Sequence, residues 1–163
     1  MVKSLKWILI IFLLILFYLI YNSIYFDISR SEIENKYATD TSKFLELSDG
    51  SRIHYRDEGN REKPIIFLLH GFNSSLLTYK KIIPLLYKDF RLVSLDFPAF
   101  GLTGAIPSKD YTIENYVKTV NELKKHLSID KFYLLGHSMG GHVSWRYTLE
   151  YPDHVLGLIL VAS

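Results

Sequence analysis

The residues best suited to chemistry in this chain form a serine turn flanked by glycines. Residues 136 to 141 read Gly-His-Ser-Met-Gly-Gly, with Ser138 at the third position. An apolar run precedes them and an amphipathic stretch follows, which predicts a strand, a sharp turn and a helix. Gly136 and Gly140 fit this turn because larger side chains would collide with the adjoining strand and helix. The pattern predicts that Ser138 projects from a strained turn as a nucleophile.

A serine nucleophile needs a histidine to take its proton and an acid to orient that histidine. The chain has six histidines, and none is an obvious partner for Ser138. We expect His126 and His154 at the opposite end of the sheet, and His54 on a solvent face. His137 adjoins Ser138 but should point away from it. Of the remaining two, His70 is expected to shape a loop and His142 to pack a helix. For each, acting as the base for Ser138 is the alternative.

The elements that must position Ser138 alternate between strand and helix from Phe44 onward, which favours an α/β layered fold. A hairpin with an Asp-Gly turn is predicted first, and parallel strands and helices follow. The predicted strands are Phe44 to Leu47, Arg52 to Asp57, Ile65 to Leu69, Arg91 to Leu95, Lys131 to Leu135 and Val155 to Val161. The predicted helices are Thr78 to Tyr87, Thr112 to Leu127 and Met139 to Glu150.

The N-terminus has a different composition from the rest of the chain. Trp7 to Phe26 is apolar apart from Asn22 and Ser23 and is long enough to cross a bilayer as a helix. A cleaved signal peptide is the alternative, but no small-residue cleavage pattern follows. We therefore predict a membrane anchor over residues 1–26 and a stalk over residues 27–42. The small excess of lysine before the anchor favours export of the domain at residues 43–163.

Composition excludes several classes of function. The chain has 163 residues and no cysteine, so disulfides, thiolate metal sites and a cysteine nucleophile are excluded. The formal net charge is +2, and Lys3 and Lys6 in front of the anchor account for it. An electrically balanced domain gives no sign of nucleic-acid binding. Nothing in the chain calls for a metal or an organic cofactor.

Three motifs, each at the end of a predicted strand, resemble the α/β-hydrolase superfamily. Leu68 to Phe72 is similar to its oxyanion loop, and Asp96 to Thr103 is similar to its D-x-P-G-x-G-x-[ST] loop, with Ala99 where glycine is usual. Residues 136 to 141, followed by Tyr151 to Val155, resemble its nucleophile elbow and the helix after it. The resemblance covers Phe44 to Ser163 and implies a mostly parallel sheet with helices on both faces.

This resemblance also implies roles for individual residues. The backbone N–H groups of Phe72 and Met139 would form the oxyanion hole. His70, Gly71, His137 and the two elbow glycines would support the loop and the elbow, and Asp96 would hold its own loop rather than act in catalysis. Phe72, Phe97 and Phe100 either line an acyl pocket or pack within their loops.

In the family the catalytic acid and histidine follow the serine. We therefore expect that this chain is the N-terminal part of a membrane-anchored serine hydrolase, without its last strands, lid, acid and base. Carboxylester hydrolysis through an acyl-enzyme on Ser138 is the favoured activity, with a small acyl compound as substrate. A serine at the elbow disfavours dehalogenase and epoxide hydrolase chemistry, which use aspartate there.

Other readings stay open beside the esterase. The chain is alternatively a hydrolase-like binding protein without activity, a relative of the proline-specific aminopeptidases, or a hydrolase of activated C–C bonds. The apolar last strand, Val155 to Val161, would lie at an open sheet edge, which predicts self-association.

Overall fold

The computed structural model describes residues 2–24 and 28–162 of the chain. It divides into two units, Met1–Ile33 and Glu34–Ser163, with the sheet and its helices all in the second.

The first unit consists mainly of one apolar helix. Helix α1 spans Val2–Ser23, and its stretch Leu5–Ser23 has a mean hydropathy of 2.2. Among the described residues it is the one helix long and apolar enough to cross a membrane. The predicted anchor continued to Phe26, but residues 25–27 lie outside the described part of the chain.

The predicted stalk contains a helix that the sequence analysis missed. Helix α2 spans Arg30–Tyr37, within the segment predicted to be without regular structure. None of its residues is buried, so its sequence needs no apolar stripe of helical period. Glu34 on this helix pairs with Arg52.

The second unit is built on one mixed six-stranded sheet. The strands are β1 (Ser42–Glu46), β2 (Arg52–Gly59), β3 (Ile65–Leu69), β4 (Arg91–Leu95), β5 (Phe132–His137) and β6 (Val155–Val161). Their spatial order is β1-β2-β4-β3-β5-β6. β1 and β2 form the predicted antiparallel hairpin, and β4, β3, β5 and β6 run parallel to one another. The carboxyl ends of the four parallel strands therefore meet at one edge.

Helices cover both faces of this sheet, as predicted. They are α3 (Ile83–Leu86), α4 (Ile113–His126) and α5 (Met139–Glu150), and 3₁₀ turns at Leu76–Tyr79 and Pro152–His154 precede α3 and follow α5. One face carries the larger core, in which Phe67, Phe132 and Tyr147 are fully buried. The other carries a smaller core around Leu68 and Leu92.

The single helix predicted for Thr78 to Tyr87 is wrong. The structure has a 3₁₀ turn, Leu76–Tyr79, and then the separate four-residue helix α3. Pro84 lies in the first turn of α3, where its missing N–H costs nothing, but a continuous helix would have needed that N–H. The Tyr79 hydroxyl donates to the Leu69 carbonyl over 2.7 Å and ties the turn to the end of β3.

Strand β6 leaves an apolar surface at one side of the sheet. Among the described residues it has a neighbouring strand, β5, on one side only, and Leu156, Leu158, Ile159 and Leu160 are 36–52% exposed. An uncharged, exposed edge strand is a template for pairing with another chain.

We therefore expect the polypeptide to self-associate through β6. Sedimentation of the chain in detergent should show species larger than a monomer, with a fraction that rises with protein concentration. Ile159→Lys should shift the distribution towards monomer, because a charged side chain on an edge strand opposes pairing. A monomer at all concentrations would contradict this expectation.

Candidate active site

The candidate site begins at a strained turn between β5 and α5. Ser138 has φ 51° and ψ −119°, a conformation that serine rarely adopts. Such strain is retained where the surrounding structure holds it in place. Here the Ser138 N–H donates to the Val161 carbonyl on β6 over 3.0 Å, and the Ser138 carbonyl accepts from the amides of Gly141 and His142. The turn is thus bonded to the sheet on one side and to the helix on the other.

Two glycines make this turn possible by close approach. A side-chain carbon at Gly140 would lie 2.6 Å from the His70 carbonyl oxygen and would also meet the end of β3. At Gly136 such a carbon would meet the Gly140 backbone and the Ser144 hydroxyl. At both positions the new carbon would lie closer to its neighbours than side-chain carbons do in proteins. Helix α5 can therefore pack against β3 and β5 only because these two residues lack side chains.

The loop after β3 lies against the turn. A carbon built on Gly71 would be 3.2 Å from Cβ of Ser138 and 2.9 Å from Nδ1 of His137. In the part of the chain that the structure describes, neither the Phe72 nor the Met139 amide donates a backbone hydrogen bond. Gly71 is therefore in contact with the serine turn, and neither the next amide, of Phe72, nor the amide of Met139 is engaged in a backbone hydrogen bond among the described residues.

His70 is committed to this loop and is not placed as a base. Its side chain is fully buried, with Nδ1 2.7 Å from the Gly71 carbonyl and Nε2 3.0 Å from the Phe97 amide. Because a carbonyl accepts and an amide donates, Nδ1 carries the proton and Nε2 has none. Burial lowers the pKa of His70, and the hydrogen bond to Gly71 only partly offsets it. His70 is thus a neutral brace between two loops.

Asp96 holds loops as well. It is 1% exposed, and its carboxylate accepts the amides of Leu76 and Leu102 over 2.7 and 2.8 Å. Its backbone carbonyl accepts from the Thr103 hydroxyl over 2.7 Å. Asp96 directly follows β4, which lies two strands from β5, so about 10 Å separate it from the serine turn.

The alanine at the unusual loop position keeps the backbone path of a glycine. Ala99 has φ 75°, and its amide donates to the Gly104 carbonyl over 2.7 Å. The left-handed conformation costs a residue with a side chain about 1 kcal/mol. The loop geometry therefore survives the substitution.

The three phenylalanines of these loops differ in their surroundings. Phe97 is fully buried against Tyr116 and His70, so it packs within the core. Phe72 is 74% exposed and contacts Phe100 edge-on, with 5.5 Å between ring centroids. Phe72 is the one of the three that is open to solvent beside Ser138.

The placement of His54 on a solvent face is wrong. It is 1% exposed, and its ring nitrogens lie 2.7 Å from Asp96 Oδ2 and 2.9 Å from the Ser42 hydroxyl. Alternation with Arg52 and Arg56 suggested exposure, but Arg56 is itself only 8% exposed, because this face of β2 is covered. β2 lies three strands from β5, about 14 Å, which is too far for His54 to serve Ser138.

The other histidines are also engaged away from the serine. His126 contacts the Tyr55 hydroxyl, and His154 contacts the Tyr147 hydroxyl over 3.1 Å. His142 is exposed and stacks on Trp145. His137 has Nδ1 buried without a partner among the described residues. None of the six histidines of the chain, all within the described residues, hydrogen-bonds to Ser138.

Known proteins resemble this chain over about three quarters of its length. Uncharacterized hydrolase YugF of Bacillus subtilis is 33% identical over 115 residues, which cover 71% of this chain and 42% of the relative. Haloalkane dehalogenase 2 of Mycobacterium tuberculosis is 34% identical over 119 residues (73% and 41%). 2-Hydroxy-6-oxononadienedioate/2-hydroxy-6-oxononatrienedioate hydrolase 1 of Pseudomonas putida is 30% identical over 131 residues (76% and 46%). The chain spans less than half the length of each of these relatives.

Solved structures give the same picture of the fold. A hydrolase from Pseudomonas aeruginosa PA01 superposes with a TM-score of 0.70 and 30% identity, covering 75% of this chain and 46% of that one. A carboxylesterase structure from the thaumarchaeon Nitrososphaera gargenis has a TM-score of 0.70 and 28% identity, with 72% and 44% covered. The family model for the alpha/beta hydrolase fold matches residues 64–163, more than half of the chain. The chain therefore belongs to the alpha/beta hydrolase fold family, as its three loop motifs predicted.

Proposed function

We propose that the protein to which this chain belongs is a membrane-anchored serine hydrolase that cleaves carboxylic esters through an acyl-enzyme on Ser138. The observation that carries the proposal is the strained Ser138 turn at the carboxyl end of β5, with Gly71, the residue before Phe72, packed against it. Ligands of open parallel sheets bind at that edge. Amides beside a nucleophile are suited to the oxyanion of an acyl-transfer intermediate, and each such donor contributes about 3 kcal/mol.

The residue at the turn favours acyl transfer over the chemistry named in the dehalogenase relative. A carboxylate that displaces a halide forms an ester, which water can cleave. A serine that did the same would form a stable ether and stop the enzyme after one cycle. Attack on a carbonyl carbon instead gives an ester of Ser138, which water can hydrolyse.

Among the described residues, no base is in place for Ser138. No histidine hydrogen-bonds to Ser138 in the described residues, and the relatives are more than twice as long as the matched segment. We propose that the acid and the base come from outside this segment. A C–C bond hydrolase is the second candidate, because a relative named as a hydrolase of an oxo-dienedioate matches 76% of the chain.

Added imidazole tests whether Ser138 is a nucleophile that lacks only its general base. In 0.1 to 1 M imidazole, the rate of p-nitrophenyl acetate cleavage by the full chain in detergent is measured, and the rate of Ser138→Ala is subtracted. We expect the Ser138-dependent rate to rise at least tenfold, since general-base catalysis contributes 10²-fold or more when the base is positioned. A protein that only binds acyl ligands would show no Ser138-dependent rate at any imidazole concentration.

Membrane attachment is proposed from α1 alone. Its apolar stretch is exposed to solvent over Leu5–Ser23, which is costly for a helix in water and favourable in a bilayer. The full chain expressed in cells should remain in the membrane pellet after alkaline carbonate washing, and a variant lacking residues 2–24 should leave that pellet. Release of the full chain by carbonate would contradict the anchor.

A further inference from the structure

Among the described residues, the hydroxyl of Ser42 is hydrogen-bonded to a histidine, and the hydroxyl of Ser138 is not. The Ser42 hydroxyl lies 2.9 Å from Nε2 of His54, and Nδ1 of the same ring lies 2.7 Å from Oδ2 of Asp96. A carboxylate accepts, so Nδ1 donates to Asp96, and in the tautomer with its single proton on Nδ1 the ring accepts at Nε2. The Thr39 amide donates to the Ser42 oxygen over 3.1 Å, which leaves the hydroxyl proton for His54.

This arrangement has the order of a nucleophilic serine relay. A serine hydroxyl, an imidazole and a carboxylate follow one another at hydrogen-bond distances, and such relays are recognised by geometry rather than by position in the sequence. Two more amides, of Leu76 and Leu102, hold the Asp96 carboxylate in place. The orienting acid is therefore fixed, and it fixes the ring of His54.

His54 and Asp96 are buried, whereas Ser42 is partly exposed, which suits a nucleophile with a shielded base. His54 and Asp96 are each 1% exposed, so the base and its acid are shielded from water. Ser42 is partly exposed, at the first residue of β1, which is the edge strand of the sheet. Only the nucleophile is open to a reagent from solvent.

A buried cation lies beside this serine. Arg56 faces Ser42 across the β1–β2 pair, so their Cβ atoms are about 5 Å apart on one face of the sheet. Arg56 is 8% exposed, and its Nε and Nη2 have no hydrogen-bond partner among the described residues. A guanidinium with unused donors stabilises an anionic adduct on a neighbouring oxygen.

The two serines are far apart. β1 and β5 are separated by four strand spacings, about 19 Å, so a reagent bound at one serine cannot contact the other. The Ser42 relay therefore does not depend on the proposed function of Ser138.

We propose that Ser42 is a second nucleophile of this protein, with His54 as its base and Asp96 as the acid that orients His54. Arg56 donates hydrogen bonds to the anionic intermediate. The substrates of Ser42 are small esters with good leaving groups, because the partly buried hydroxyl excludes bulky ones. As the Ser42 oxygen bonds to the acyl carbon, its proton moves to Nε2 of His54. The bond from that carbon to the leaving oxygen breaks, and the oxygen departs with the electron pair and takes up the proton from His54.

A serine-directed label locates the reactive residue directly. The full chain in detergent micelles is treated with an alkyl fluorophosphonate, in which Ser42 bonds to phosphorus and fluoride leaves, and the labelled peptides are identified by mass spectrometry. We expect label on the peptide that contains residue 42 and at least a tenfold loss in Ser42→Ala. Ser48→Ala, in the exposed hairpin turn, is the matched control and should label as the parent chain does. A natively folded chain with no label at residue 42 would overturn the proposal.

Cysteine variants give a second readout that keeps all three partners of the serine. The chain has no cysteine, so Ser42→Cys and Ser48→Cys each carry a single thiol. Iodoacetamide should alkylate the thiol at position 42 at least tenfold faster than the one at position 48, although position 48 is more exposed, because His54 removes the thiol proton. A merely structural hydrogen bond predicts slower alkylation at the less exposed position, and that result would refute a reactive relay.

Discussion

Replacing Gly140 by alanine is expected to lower the free energy of unfolding by about 4 kcal/mol. Alanine normally stabilises a helix interior by about 1 kcal/mol relative to glycine, so the sign is the opposite of what helix propensity gives. The cause is the close contact with β3: the new carbon would meet the Leu69 carbonyl and lie 2.6 Å from the His70 oxygen. Backbone atoms in a paired strand cannot move aside, and the Leu69 carbonyl also accepts the Tyr79 hydroxyl.

Urea unfolding of the full chain in detergent, followed by tryptophan fluorescence, measures this loss, with Trp145 on α5 as the reporter. Gly104→Ala is the matched control. Gly104 has φ +62° and nothing within 4 Å of a new carbon, so only backbone strain of about 1 kcal/mol is expected. Equal losses for the two variants would show that α5 does not pack on β3 as described.

Without added imidazole, the Ser138-dependent cleavage of p-nitrophenyl acetate by this chain should be nearly undetectable. Removing the histidine of a serine triad lowers kcat by about 10⁶, because only substrate binding and the oxyanion donors remain. The nearest alternatives do not replace it: His70 is bonded through both nitrogens, and His137 does not hydrogen-bond to Ser138.

The measurement is the difference in ester cleavage between the parent chain and Ser138→Ala. We expect the two rates to agree within error, whatever Ser42 contributes, since that contribution is common to both. Ser138-dependent turnover near the ordinary enzyme value of about 10 s⁻¹ would mean that a base within these residues reaches Ser138, and the assignment of His70 and His142 would have to change.

Most of the fold was predictable because apolar residues recur at helix or strand spacing and turn residues separate the elements. Strands β3, β4 and β6 and helix α5 have the predicted bounds. Thr112, the first residue of the predicted helix, caps α4, with its hydroxyl accepting a hydrogen bond from the Asn115 amide. The apolar residues around Pro84 suit one long helix or two short ones, and the missing N–H of Pro84 disfavours the single helix.

The polar contacts were harder to foresee. The alternation of His54 with two arginines is typical of a surface strand, but the carboxylate to which His54 is hydrogen-bonded, that of Asp96, lies 42 positions away in the sequence. Local patterns do not encode such a pairing, because it depends on β2 lying next to β4 in the sheet. Helix α2 was missed for a related reason, since a fully exposed helix leaves no apolar stripe in the sequence.

The hydrogen bond from the Ser138 amide to the Val161 carbonyl ties the serine turn to strand β6. β6 holds the serine turn from one side and presents its other side outward. A strand added there, from the same protein or from a second copy, would restrict the movement of β6 and hence of the turn. We therefore expect hydrogen exchange at the Ser138 amide to slow whenever another strand pairs with β6.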